Sequence, residues 1–160
     1  MTKRLLTTIL TTLLTAIGLQ AASGFTNVKL TVSGMTVTMS NGKTTIKIGS
    51  NGRASSMKWG SRELLDGSNG IYFDYTTAQG NKALSPSKLD IIKQTDEMCE
   101  VLYSATSGNT IFQQGYIMRN DIAGVYTYVI ATGTATSASE PLKEVRVCTR
   151  LASDMLNGYV

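Results

Sequence analysis

The chain has 160 residues, a length suited to one domain, and a net charge of +4 that drops to +2 once Lys3 and Arg4 are set aside with a leader. Its 15 lysines and arginines are scattered, which excludes the clustered basic footprint of a nucleic-acid surface. It has no histidine, so a His-based catalytic triad or histidine zinc site is excluded within these residues.

The chain opens on Met1-Thr2-Lys3-Arg4 and continues into an apolar run from Leu5 to Leu19, broken by threonines and Gly18. Gln20, Ala21, Ala22 and Ser23 follow. A basic start, a short apolar stretch and small residues predict a secretory signal peptide over residues 1–22, cleaved after Ala21 or Ala22. The run stops short of the ~20 apolar residues that a membrane span needs. The mature part is therefore expected to be secreted or periplasmic, with no membrane association. Cys99 and Cys148 would meet an oxidising compartment, where a disulfide is permitted. Nothing in the sequence brings them within bridging distance, and two small, partly buried thiols are expected.

From Phe25 the texture is uniform: short runs rich in Val, Ile, Thr and Tyr, separated by Gly, Asn, Ser or Asp, the pattern of an all-β domain. Val28 to Val32 and Met35 to Met39 alternate around Ser33-Gly34. Asn41-Gly42 is the pair that type I′ hairpin turns favour, and Thr44 to Ile48 is the return strand. Arg53 to Trp59 is a further strand, with Trp59 expected to pack in the core or at an edge, a sugar-stacking platform being the alternative. Ile71 to Tyr75 is a strand, and Ala78 to Lys88 is expected to be loop. Leu89 to Gln94 pairs with Met98 to Ala105. In Thr110 to Arg119, the set Ile111, Gln113, Gly115 and Ile117 opposes Phe112, Gln114, Tyr116 and Met118. Asn120 to Gly124 turns the chain into Val125 to Ile130, and a polar loop from Ala131 to Pro141 follows. About ten strands at roughly 8–12-residue spacing predict an antiparallel β-sandwich or barrel, because the connections are too short for helical crossovers.

No Gly-rich phosphate loop, nucleophile elbow or cysteine ligand cluster is present, and no cofactor or metal is called for. Asp74, Asp90, Asp96, Glu97, Glu100 and Asp121 are candidate carboxylates, but no two form a pair marked for glycoside hydrolysis. The most informative stretch runs from Glu144 to Leu151. On a strand, Val145, Val147, Thr149 and Leu151 share one face, and Arg146, Cys148 and Arg150 share the other. At ~3.4 Å per residue the two arginine Cα atoms lie about 13 Å apart. That spacing suits acidic groups two or three sugars apart on a polyuronate, although a solvated pair of arginines is the plainer alternative. On the residues alone, the chain is an exported all-β domain with a carbohydrate-facing surface.

Three stretches together resemble the N-terminal part of rhamnogalacturonan lyases, polysaccharide lyase family four. Ser50 to Leu65, with Trp59-Gly60-Ser61-Arg62-Glu63-Leu64-Leu65 at its end, is similar to an early hairpin of that family. Asn120 to Ile130 resembles the strand that places the polymer-binding sheet. Glu144-Val145-Arg146-Val147-Cys148-Thr149-Arg150-Leu151-Ala152-Ser153-Asp154-Met155-Leu156-Asn157 is similar to the family's Glu-Leu-Arg-aromatic-x-x-Arg-Leu-Asn-Ser-Asp-x-Leu segment. Cys148 departs from it, near where the family carries an apolar or aromatic residue.

The resemblance implies a galactose-mutarotase-like antiparallel β-sandwich, incomplete at the C-terminus, with residues 23–160 as the first portion of a lyase catalytic domain. It implies cleavage of the rhamnose–galacturonate backbone of pectin by β-elimination, with an acidic polysaccharide as partner. Arg146 and Arg150 carry over as substrate-binding residues. No catalytic residue carries over, since the family's lysine base and histidine acid lie past Val160, so this chain alone is expected to be inactive. A non-catalytic exported carbohydrate-binding or adhesion sandwich is the alternative. A mutarotase-like enzyme ranks below both, because such sites rely on histidine.

Overall fold

Side chains that alternate apolar and polar must bury one face of each strand, and two sheets packed face to face satisfy that demand. The computed structural model of the chain does this. It describes residues 24–67, 70–134 and 142–156; the expected leader, residues 1–22, lies outside them. The strands are β1 (Lys29–Ser33), β2 (Thr36–Ser40), β3 (Thr44–Ile48), β4 (Ala54–Trp59), β5 (Arg62–Glu63), β6 (Ile71–Thr77), β7 (Gly80–Ala83), β8 (Lys88–Gln94), β9 (Met98–Ser107), β10 (Thr110–Arg119), β11 (Tyr126–Gly133) and β12 (Glu144–Thr149). A short 3-10 turn, Ser153–Leu156, follows.

The first sheet has the order β1-β2-β3-β4-β6-β12, with β5 paired to β4 and β7 to β6; the second has the order β11-β10-β9-β8. All strand pairs in both sheets are antiparallel. The all-β antiparallel expectation therefore holds. Both ends of the described chain build the first sheet, because β12 returns to lie beside β6.

The core lies between the sheets. Val37, Met39, Ile46, Ile48, Phe73 and Tyr75 enter it from one side, and Cys99, Val101, Tyr103, Phe112, Tyr116 and Met118 from the other. Tyr75 stacks on Phe112 with ring centroids 4.0 Å apart, and Phe73 lies 5.7 Å from the same ring. Burying one such side chain contributes about 1.5–3 kcal/mol. The buried hydroxyls are satisfied: Tyr116 donates to the Gly52 carbonyl at 2.8 Å and Tyr103 to the Met35 carbonyl at 2.8 Å. In β10, Phe112, Gln114, Tyr116 and Met118 face inward, as the alternation predicts.

Three local expectations need correction. The Asn41-Gly42 hairpin is not type I′, which requires positive φ at both residues; Gly42 has φ 86°, but among the described residues no non-glycine residue, Asn41 included, has positive φ. Asn41 is instead fully buried, its Oδ1 accepting from the Thr44 N–H at 2.8 Å and its amide donating to the Arg119 and Ile122 carbonyls. That amide ties the hairpin to the turn after β10. The segment from Ala78 to Lys88 is not all loop, since Gly80–Ala83 pairs with β6. Trp59 is not packed away: it ends β4 and is 61% exposed. Cys99 and Cys148 are free thiols, as expected, with Cys99 fully buried in the core and Cys148 partly exposed.

Candidate functional site

The register of β6 against β12 pairs Arg146 with Asp74 and Cys148 with Tyr72. Ile71, Phe73 and Tyr75 point into the core, so Tyr72 and Asp74 point outward, and Arg146 and Cys148 with them. Arg150 follows the end of β12 and is held from both sides. Its N–H donates to the Gly70 carbonyl at 3.1 Å, and its own carbonyl accepts from the Asp66 N–H at 3.0 Å. Cross-strand contacts then place both arginine side chains on the outer face of the first sheet, as their spacing predicts.

The arginines are not two free cations. Arg146 forks onto Asp74, Nε to Oδ1 at 2.8 Å and Nη2 to Oδ2 at 2.8 Å, while its Nη1 lies 3.7 Å from Glu144. Asp74 is 6% exposed, and a carboxylate so enclosed needs such a partner to stay ionised. The hydrogen bonds from Arg146 outweigh the opposing effect of burial, and its pKa falls below the ordinary carboxylate value. Arg150 donates through Nε and Nη2 to the Tyr72 hydroxyl at 3.3 and 3.2 Å, and that hydrogen bond strengthens its hold on its proton.

Arg53, just before β4, lies over the Tyr72 ring with its guanidinium carbon 4.7 Å from the centroid; the Arg150 carbon is 5.9 Å from it. The sequence reading named Arg146 and Arg150 and passed over Tyr72 and Arg53. One signal was present in Ile71-Tyr72-Phe73-Asp74-Tyr75: an acid inside an aromatic strand requires a cation beside it.

The stretch that holds Arg150 is itself fastened by Glu63. Its Oε1 accepts from the N–H groups of Met57, Leu64 and Leu65 at 2.8, 3.1 and 3.1 Å, and its Oε2 from the Ser56 hydroxyl at 2.6 Å. Burial opposes the charge of Glu63, but these donors together prevail and lower its pKa. Leu65 bridges to Leu151, and the Ala152 N–H donates to the Leu64 carbonyl at 3.0 Å. Glu63 thereby sets the path of residues 64–66 and, through them, the backbone of Arg150.

The family model described as the rhamnogalacturonate lyase family matches residues 16–159. The chain belongs to the rhamnogalacturonate lyase family. It is similar to a rhamnogalacturonate lyase of Dickeya dadantii (strain 3937), 33% identical over 76 residues, which cover 47% of this chain and 13% of that relative. The matched part is thus a small fraction of the relative's length. In this member of the lyase family, the outer face of the first sheet carries three guanidinium groups around one tyrosine and one enclosed carboxylate, an arrangement able to hold acidic groups.

Proposed function

We propose that the outer face of the first sheet is the polysaccharide-binding face of a rhamnogalacturonan lyase, and that this chain supplies binding arginines without the proton-transfer groups. The single observation that carries the reading is the projection of Arg146 and Arg150 from one face, in a chain of this family. The fold this reading adopts is the galactose-mutarotase-like sandwich. A plant-wall polymer lies outside cells, which fits export by the leader expected over residues 1–22.

The chemistry explains the need for arginine. β-Elimination takes the proton from C5 of galacturonate, forms a double bond between C4 and C5, and expels the oxygen on C4 with a proton. The C5 carbanion lies beside a carboxylate that is already negative, so a second charge develops next to the first. A guanidinium binds that carboxylate through a planar fork and is already in place when the charge grows. Its neighbouring charge would also lower the pKa of a lysine base.

Titration of the full chain with rhamnogalacturonan oligosaccharides, followed by NMR, tests the reading. Weak binding that fades with added salt is expected, with no unsaturated uronate formed. Arg150→Gln is expected to remove most of that binding, and Arg146→Lys to weaken it modestly, because lysine keeps the positive charge of the face but loses the fork that anchors it on Asp74. A chain with no affinity for these oligosaccharides, or with affinity indifferent to both substitutions, would overturn the proposal.

A further inference from the structure

We propose that Arg53 is a third substrate-binding residue and that, with Arg150, it leads the polymer across the strands over Tyr72 instead of along β12. This inference rests on the binding reading above and deepens it.

The three arginines differ in which of their donors are engaged. Arg146 has Nε and Nη2 committed to Asp74, so the edge of its fork that best matches a carboxylate is engaged. Arg53 is half-buried; among the described residues its guanidinium makes no hydrogen bond and no close ion pair, and its charge acts on Asp74 only as the last and least of the causes that lower that carboxyl's pKa. It lies over an aromatic face, which orients an arginine while leaving its N–H groups able to fork onto an anion.

The sheet supplies the direction. Ala54 pairs with Ile71, which puts Arg53 opposite Tyr72 on one flank of β6. Cys148 pairs with Tyr72 on the other flank, and Arg150 reaches the Tyr72 hydroxyl from there. The two guanidinium carbons lie 4.7 and 5.9 Å from one ring, so they are no farther apart than the 10.6 Å to which those distances add. Tyr72 is 8% exposed, nearly closed over by its neighbours, and it forms a floor between two cations. A linear acid polymer can set its carboxylates on Arg53 and Arg150 by crossing from β4 to β12. A path along β12 would reach Arg146, whose fork is already engaged.

Methyl esterification of the ligand separates binding from scaffolding. The full chain and its Arg53→Gln variant are titrated with rhamnogalacturonan oligosaccharides as free acids and as methyl esters. If Arg53 grips a carboxylate, Arg53→Gln weakens free-acid binding about three- to tenfold, the range for a charge-assisted contact at a half-exposed site, and leaves ester binding unchanged. Arg53→Lys falls between the two with the acid, and stands in should Arg53→Gln fail to fold. Equal loss with acid and ester would reduce Arg53 to a support for Tyr72, and no loss with either would remove it from the site; both outcomes overturn the inference while Arg150→Gln still reports on the binding reading. Absence of all binding by the unsubstituted chain overturns that reading, and this inference with it.

Discussion

At Asp74 a carboxylate almost closed off from solvent meets one guanidinium through both oxygens, and its titration follows from that contact. Its pKa is lowered from 3.8 chiefly by the hydrogen bonds from Arg146, against the effect of burial. A depressed pKa contributes stability that is complete above the unfolded-state value and is lost as the pH falls through the folded-state value. Asp74→Asn is therefore expected to lower the unfolding midpoint near neutral pH, with the gap to the unsubstituted chain closing below pH 3.8. Midpoints measured down the pH scale check this, and a gap that stays constant through the acid range would show that the charge of Asp74 does not stabilise the fold. The shared face of Arg146 and Arg150 was legible in the sequence, because period-two alternation is a local property. The partner of Arg146 was not, because Asp74 lies 72 positions away and only the register of β6 against β12 brings them together.

Gly70 decides how closely β4 and β6 approach just ahead of the Tyr72 cluster. A Cβ at Gly70 would lie 2.0 Å from the Ala54 carbonyl oxygen and 2.9 Å from Leu65 Cδ1, and the carbonyl of Gly70 receives the Arg150 N–H. Backbone cannot retreat as a flexible side chain can, so Gly70→Ala is expected to cost about 1–3 kcal/mol and to weaken the proposed carbohydrate binding along with stability. Denaturant unfolding measures the first effect, and a midpoint equal to that of the parent chain would mean that the strands part without strain. Hairpins with clear alternation, such as β2–β3 and β9–β10, were legible. β7 was not: Gly80-Asn81-Lys82-Ala83 has no β-branched or aromatic residue, and it is a strand because β6 offers it a ladder. Trp59 was misread for a related reason. Hydrophobicity states what a residue favours, whereas its burial depends on whether the opposite sheet reaches it. Asn41 shows the same limit, since a dipeptide preference gave way to two carbonyls from the turn after β10.

Over the whole molecule, the two cysteines report on opposite environments. Cys99 is fully buried, and burial pushes its thiol up to about 11; Cys148 lies on the outer face, partly exposed between the arginines. A thiol reagent is expected to modify Cys148 in the folded chain and to reach Cys99 only as fast as the molecule unfolds. Mass spectrometry during labelling follows both, and equal rates at the two sites under native conditions would contradict the packing of β9 into the core. The two-sheet class was readable from texture alone. The return of β12 to the first sheet was not, because that choice depends on long-range pairing that no window of sequence contains. β6 is covered on both sides, by the core beneath Phe73 and Tyr75 and by the arginines above Tyr72 and Asp74. A sugar acid docked there, as proposed, would lean on a strand buried on both faces, and it would be released when that strand comes apart. By mass action such a guest would add about 2.7 kcal/mol to the melting equilibrium at a hundred times its dissociation constant, which would make the melting temperature of the chain a gauge of the proposed ligand.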